Sequence, residues 1–187
     1  MATRDNIQLF RGEDKTLRFS VVDSNIQTKV RDGGDGIDEV QTTIIVVSTA
    51  GFVSASRIKI GDEIIQYTGT TTTSFTGCTR GVAQSFGAIF GATPHNEGTA
   101  IFAVPDVTGW TTELDIRETR GAAITILGDK PGTSPSVLNG LLDVAFASDE
   151  TATLASDTYV YGFTRTDTGS NTVLAYGAFT LSQEVTR

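Results

Sequence analysis

The chain has one cysteine, one histidine, one methionine and one tryptophan in 187 residues, so the side chains that usually build reactive centres are nearly missing. Cys78 has no partner for an internal disulfide, so the fold must hold without a disulfide framework, which is compatible with assembly in a reducing cytoplasm. One Cys and one His cannot complete a structural zinc shell. A nucleophile–histidine pair would have to join His95 to Cys78 or to a serine. No G-x-S-x-G elbow surrounds any serine, and no basic cluster flanks Cys78 to make a thiolate. Cys78 therefore reads as a small buried hydrophobe, and His95 as a structural or surface-loop residue. No catalytic residue, cofactor or metal is expected.

Positive charge is also scarce. Lys and Arg number 14 against 22 Asp and Glu, a formal net charge of −8. The basic residues near the start (Arg4, Arg11, Lys15, Arg18, Lys29, Arg31) are scattered and read as solvated faces. A nucleic-acid-binding domain would carry a basic patch, so none is expected. No apolar run approaches the roughly 20 residues of a membrane-spanning helix. Met1-Ala2-Thr3-Arg4-Asp5-Asn6 lacks the apolar core of a signal peptide. The expectation is a soluble protein made inside a cell, without a membrane partner.

What is present is β-forming. Apolar residues are 39% of the chain and charged residues 19%. That balance is enough for a packed core. Thr, Ser, Gly, Val and Ile stand where Leu, Lys and Glu usually dominate, and β-branched residues favour a pleated surface. Period-two alternation recurs. Leu17, Phe19 and Val21 share one face. Trp110, Thr112, Leu114 and Ile116 share another, with Trp110 expected to anchor the core. Residues 142–146 form a further strand. Tyr159, Tyr161 and Phe163 line one side of residues 158–165, and Val173, Phe179 and Leu181 one side of residues 172–181. Gly169 can supply the positive φ of the turn between those last two strands. Helix is nearly absent, with a single turn expected at 151–155.

The middle has another texture. Residues 42–48 are almost purely β-branched. Arg57-Ile58-Lys59-Ile60 and Glu63-Ile64-Ile65-Gln66-Tyr67 form a hairpin around Gly61-Asp62. Strands follow at 74–79 and 99–103, and residues 81–98 between them read as a loop. Residues 32–38 are a Gly/Asp linker and residues 105–109 a Pro/Gly turn. Residues 1–33 hold too few strands for a core of their own, but with 104–187 they make a sandwich of six or seven strands. The expected fold class is all-β, an Ig-like β-sandwich (1–33 plus 104–187) with a small inserted β-module (34–103).

Other constellations carry less. Asp32, Asp35, Asp38 and Glu39 lack EF-hand spacing, so a solvated linker explains them. Asp115 with Glu113 or Glu118 alternates along a strand, with nothing to raise a pKa for glycoside hydrolysis. Within 81–96, Phe86, Ile89 and Phe90 are large apolar residues amid Gly and Ala. They either fold back on their own module or contact a partner, and they are the candidate partner contacts. The segments before Ile7 and after Ser182 are candidate tethers.

Two sets of residues resemble known families. Leu9-Phe10-Arg11-Gly12-Glu13-Asp14, Leu17-Arg18-Phe19-Ser20-Val21, Asp106-Val107-Thr108-Gly109-Trp110 and Leu114-Asp115-Ile116-Arg117 are similar to the Ig-like N-terminal domain of phage baseplate upper proteins. Leu154-Ala155-Ser156-Asp157-Thr158-Tyr159-Val160-Tyr161 and Gly177-Ala178-Phe179-Thr180-Leu181 continue the likeness, with Asp157 where a Gly is usual. Ile60-Gly61-Asp62-Glu63-Ile64-Ile65-Gln66-Tyr67-Thr68-Gly69 and Phe75-Thr76-Gly77-Cys78-Thr79-Arg80-Gly81 resemble a β-module recurring in phage tail, fibre and other virion proteins. His95 falls where such modules often have a histidine.

The resemblance implies a non-enzymatic structural protein of a tailed-bacteriophage virion, assembled in the host cytoplasm in multiple copies. Its partners would be other virion proteins: the major capsid protein for a capsid decoration protein, or tail and neck proteins for a neck or baseplate adaptor. The expectation leans to decoration because no coiled coil, shaft or receptor-binding head follows the Ig-like domain. A surface glycan-binding module and an enzyme are lesser alternatives. A homo-oligomer or attachment to a symmetric lattice suits the class.

Overall fold

The computed structural model describes residues 3–4, 6–31, 33–84, 91–122, 125–136, 140–167 and 172–183. The protein is all-β. In chain order the strands are β1 (Thr3–Arg4), β2 (Ile7–Phe10), β3 (Lys15–Ser20), β4 (Asp23–Lys29), β5 (Thr43–Ile45) and β6 (Ser56–Ile60). They continue as β7 (Glu63–Tyr67), β8 (Gly69–Thr70), β9 (Ser74–Thr76), β10 (Thr79–Gln84), β11 (Ala100–Val104) and β12 (Thr112–Arg117). The last are β13 (Thr125–Pro131), β14 (Thr133–Ser136), β15 (Leu141–Phe146), β16 (Thr158–Arg165) and β17 (Thr172–Ser182), with one short helix, α1 (Ser148–Ala152), between β15 and β16.

Two compact units divide the chain. Unit 1 holds residues 1–19, 109–135 and 142–187; unit 2 holds 20–108 and 136–141. The expected division at residue 33 assigns β4 to the flanks. In the structure β4 pairs antiparallel with β11 and completes a sheet of unit 2. Strand β4 (Asp-Ser-Asn-Ile-Gln-Thr-Lys) is mostly polar because it lies at the edge of that sheet.

Unit 1 is an Ig-like sandwich. One sheet runs β1-β17-β16-β12-β13, with β2 also on β17, and the other β14-β15-β3. In Ig terms β3, β15 and β14 occupy the places of strands B, E and D, and β12, β16 and β17 those of C, F and G. The Tyr159 hydroxyl donates to the Ala155 carbonyl four residues upstream (2.9 Å). This is a tyrosine corner at the start of the F-type strand. Antibody domains join strands B and F by a disulfide. Here the Phe19 ring stacks on Phe163 with centroids 4.5 Å apart, and Phe146 meets Phe179 at 5.7 Å. These rings bridge the two sheets, and fill the core with Leu17, Leu114, Ile116 and Leu181.

Three local expectations shift. Trp110 precedes β12 and is half-buried, with the Arg165 guanidinium 3.9 Å from its ring centroid. That is a cation–π contact, and Trp110 does not anchor the core. Val173 is 48% exposed. A bulge opposite Phe163–Thr164 reverses the side-chain phase of β17 before Ala175, as an extra residue in one strand does. The helical turn begins earlier than expected, at Ser148, where the Glu150 carboxylate accepts the Ala147 N–H (2.8 Å). An acidic residue reaching back in this way closes a helix start. The turn at Gly169 lies outside the described residues.

Unit 2 is a second sandwich. A five-stranded sheet, β10-β7-β6-β11-β4, faces a three-stranded one, β5-β9-β8. Between them lie Ile58, Ile60, Ile65, Tyr67 and Ile101 from the first and Ile44, Val46 and Phe75 from the second, with Phe52 against Phe75. Gly61 takes φ +56°. A positive value is what the first turn position of the β6–β7 hairpin requires.

Candidate functional site

The β6–β7 turn delivers Glu63 to the first position of β7. Strand periodicity puts it in phase with the inward-facing Ile65 and Tyr67. Its side chain has no solvent exposure. An isolated buried carboxylate costs several kcal/mol, so the surrounding donors matter. Arg80 grips it with both arms, Nε to Oε1 at 2.9 Å and Nη2 to Oε2 at 2.8 Å. This is the bidentate form of the pair. The Gly81 N–H donates to Oε1 (2.7 Å) and the Thr93 N–H to Oε2 (3.3 Å). His95 Nε2 lies 2.8 Å from Oε2. An ionised carboxylate only accepts, so that nitrogen carries the proton. Burial pushes the Glu63 pKa up, but the hydrogen bonds from His95 and Arg80, with the Arg80 charge and the Thr93 N–H, outweigh it and hold the value at about 2. Hydrogen bonds to the charged form thus win over desolvation.

The partners are themselves tied down. Arg80 donates to the carbonyls of Asp38 and, at 2.7 Å, Thr93. His95 and Ile37 exchange both backbone hydrogen bonds at 2.8 Å. Two glycines permit the approach. A Cβ on Gly36 would overlap the His95 carbonyl, and one on Gly81 (φ +62°) would lie 2.8 Å from the Ala92 nitrogen. Gly81 and Thr93 thus converge on a single carboxylate. With both oxygens occupied by donors from the protein, the cluster is a clamp.

The sequence motifs contain Glu63, Arg80 and His95, but read locally they are three separate matches. The missed signal is parity. Glu63 sits in phase with Ile65 and Tyr67, so the hairpin itself turns a carboxylate inward. His95, expected as a structural or surface-loop residue, is structural, with its side chain 9% exposed. The expected loop at 81–98 starts later, since Gly81–Gln84 extend β10. The candidate contacts Phe86, Ile89 and Phe90 lie outside the described residues, as does Asp32 of the Gly/Asp linker.

Cys78 is buried between β9 and β10, and burial pushes its thiol up to about 11. It therefore stays protonated near neutral pH. Asp38 accepts the N–H groups of Val40 and Gln41 at 2.9 and 2.8 Å. That is a turn-forming role. Asp106 does the same for Thr108 before β12. Among the described residues no group of His, Cys, Asp and Glu is placed to hold a metal ion, and no helix is long and apolar enough to cross a membrane. Compared with known proteins, the chain matches no family model and no curated sequence.

Proposed function

We propose that this chain is a structural protein of a tailed-bacteriophage virion, a capsid decoration protein that binds the particle and stabilises it through protein–protein contacts. The observation that carries this reading is the Glu63 clamp. It unites the residues of the phage-like motifs, Glu63 from Ile60-Gly61-Asp62-Glu63, Arg80 from Thr79-Arg80-Gly81, and His95. A buried charge saturated by internal donors supports a holding role, since it offers no free group for proton transfer. What it holds together is Gly81 and Thr93, and the sequence between them includes Phe86, Ile89 and Phe90, side chains suited to a partner's apolar pocket.

The major capsid protein is the partner this reading selects, with many copies per particle. A neck or baseplate adaptor is the second reading, favoured by the Ig-like strand order of unit 1 and by the resemblance of its motifs to baseplate proteins. Quantitative mass spectrometry of purified particles separates the two. Hundreds of copies per particle support decoration; a few dozen or fewer overturn it and leave the adaptor. Absence of the chain from purified particles overturns both.

A further inference from the structure

We infer that the outer face of the small β5-β9-β8 sheet is a docking surface for an acidic, apolar-studded protein surface on the particle; this rests on the reading of the chain as a virion protein. The inner face of the sheet is accounted for, since Ile44, Val46 and Phe75 point into the core of unit 2. The outer face carries Thr43, Ile45 and Val47, with Ser74 and Thr76 beside them on β9. Ile45 is 42% and Val47 54% exposed. Of the seven large apolar residues exposed among the described residues, four (Val40, Ile45, Val47 and Val53) fall between positions 40 and 53.

The charge on this face is of one sign. Val30 bridges Val46 with both side chains buried, so their neighbours turn outward. The pairing Arg31 N–H to Ile45 carbonyl (2.8 Å) and Val47 N–H to Lys29 carbonyl (3.1 Å) sets Arg31 beside Ile45 and Lys29 beside Val47. Both cations are exposed. Along these rows (29 and 31; 43, 45 and 47; 74 and 76; 69) there is no carboxylate, in a chain where carboxylates outnumber cations 22 to 14. An acidic partner is repelled by the rest of the surface and attracted here, so the charge pattern selects both the partner and the docking orientation. Two cations along one side of an apolar strip match a protein surface; a nucleic acid would call for many more.

The test adds the purified chain back to particles assembled without it and measures the bound fraction by co-sedimentation at low and moderate salt. Wild type is expected to bind, less tightly as salt rises. Lys29→Glu with Arg31→Glu, and separately Ile45→Asp, should each weaken binding about tenfold or more, while Val173→Asp on unit 1 leaves it unchanged. Circular dichroism checks that each variant folds; if the charge reversals do not, Lys29→Ala with Arg31→Ala carries the test. Wild type binding with the face variants binding equally overturns the docking face but leaves the virion reading standing. No binding by wild type overturns both. Self-association of the isolated chain that the face variants abolish overturns the acidic partner in favour of a second copy.

Discussion

Unit 1 joins its sheets with rings, Phe19 on Phe163 and Phe146 near Phe179, and keeps its ion pairs, such as Arg18–Asp143, partly in water. Unit 2 has a core of mostly isoleucine and valine, and places a carboxylate with no exposure among Arg80, Gly81, Thr93 and His95. The contrast follows from what each unit must hold. The strands of the unit 1 sheets present large inward residues at regular intervals. Unit 2 must also fix long irregular segments, 36–42 and 91–98, whose backbone polar groups need partners. Apolar contact is non-directional. A bidentate ion pair with added N–H donors places a segment in one geometry.

Removing a ring from unit 1 should give the largest effect. Phe163→Ala is expected to destabilise by about 4 kcal/mol through the cavity it leaves. The loss should be independent of pH and appear by hydrogen exchange in β3, β12 and β16. A loss of similar size that varied with acid pH would break the comparison from the unit 1 side.

Glu63→Gln should cost about 3 kcal/mol at neutral pH, because Arg80 is left buried without a counter-charge. It should also change the acid profile. The folded pKa of Glu63, about 2, lies below its ordinary 4.5. A group shifted down in this way contributes stability that is fully present above its ordinary value and is lost as pH falls toward the folded one. Wild type should therefore lose protection in β6 and β7 across that window, and the variant should lose much less. Identical acid slopes for the two proteins would remove the clamp from the account. The smallest effect is expected from Trp110→Ala: about 1 kcal/mol in a urea melt, the size of one exposed cation–π contact. A loss near that of Phe163→Ala would restore Trp110 to the core.

Much of this fold is legible in the sequence. β16 spans the residues its alternation marks, and the buried set Tyr159, Tyr161 and Phe163 is the one expected. The strands that escape notice are edge strands or carry breakers. β13 contains Gly128 and Pro131 and ends its sheet. Such residues are tolerated at an edge. β4 has few apolar residues because it is an edge too. Trp110 misleads because alternation cannot say where a strand starts. The clamp is half visible, since each motif can be read but not the distances among 38, 63, 80, 93 and 95. Those depend on tertiary closure, which local periodicity does not encode.

Strand β7 is buried on both faces, Ile64 toward Val104 and Leu141 and Ile65 toward the core of unit 2. Between Ile64 and Ile65 hydrophobicity alone does not choose an alignment. A slip of one residue against β6 would exchange Ile64 for Ile65 at little cost, but it would also turn Tyr67 out of the core and Gln66 into it. Glu63 adds a second penalty at the other end of the strand. In the slipped pairing the carboxylate turns away from Arg80, Gly81, Thr93 and His95, and the guanidinium loses its counter-ion. The buried charge therefore acts as an index mark at the start of β7, as the Tyr67 ring does at its end.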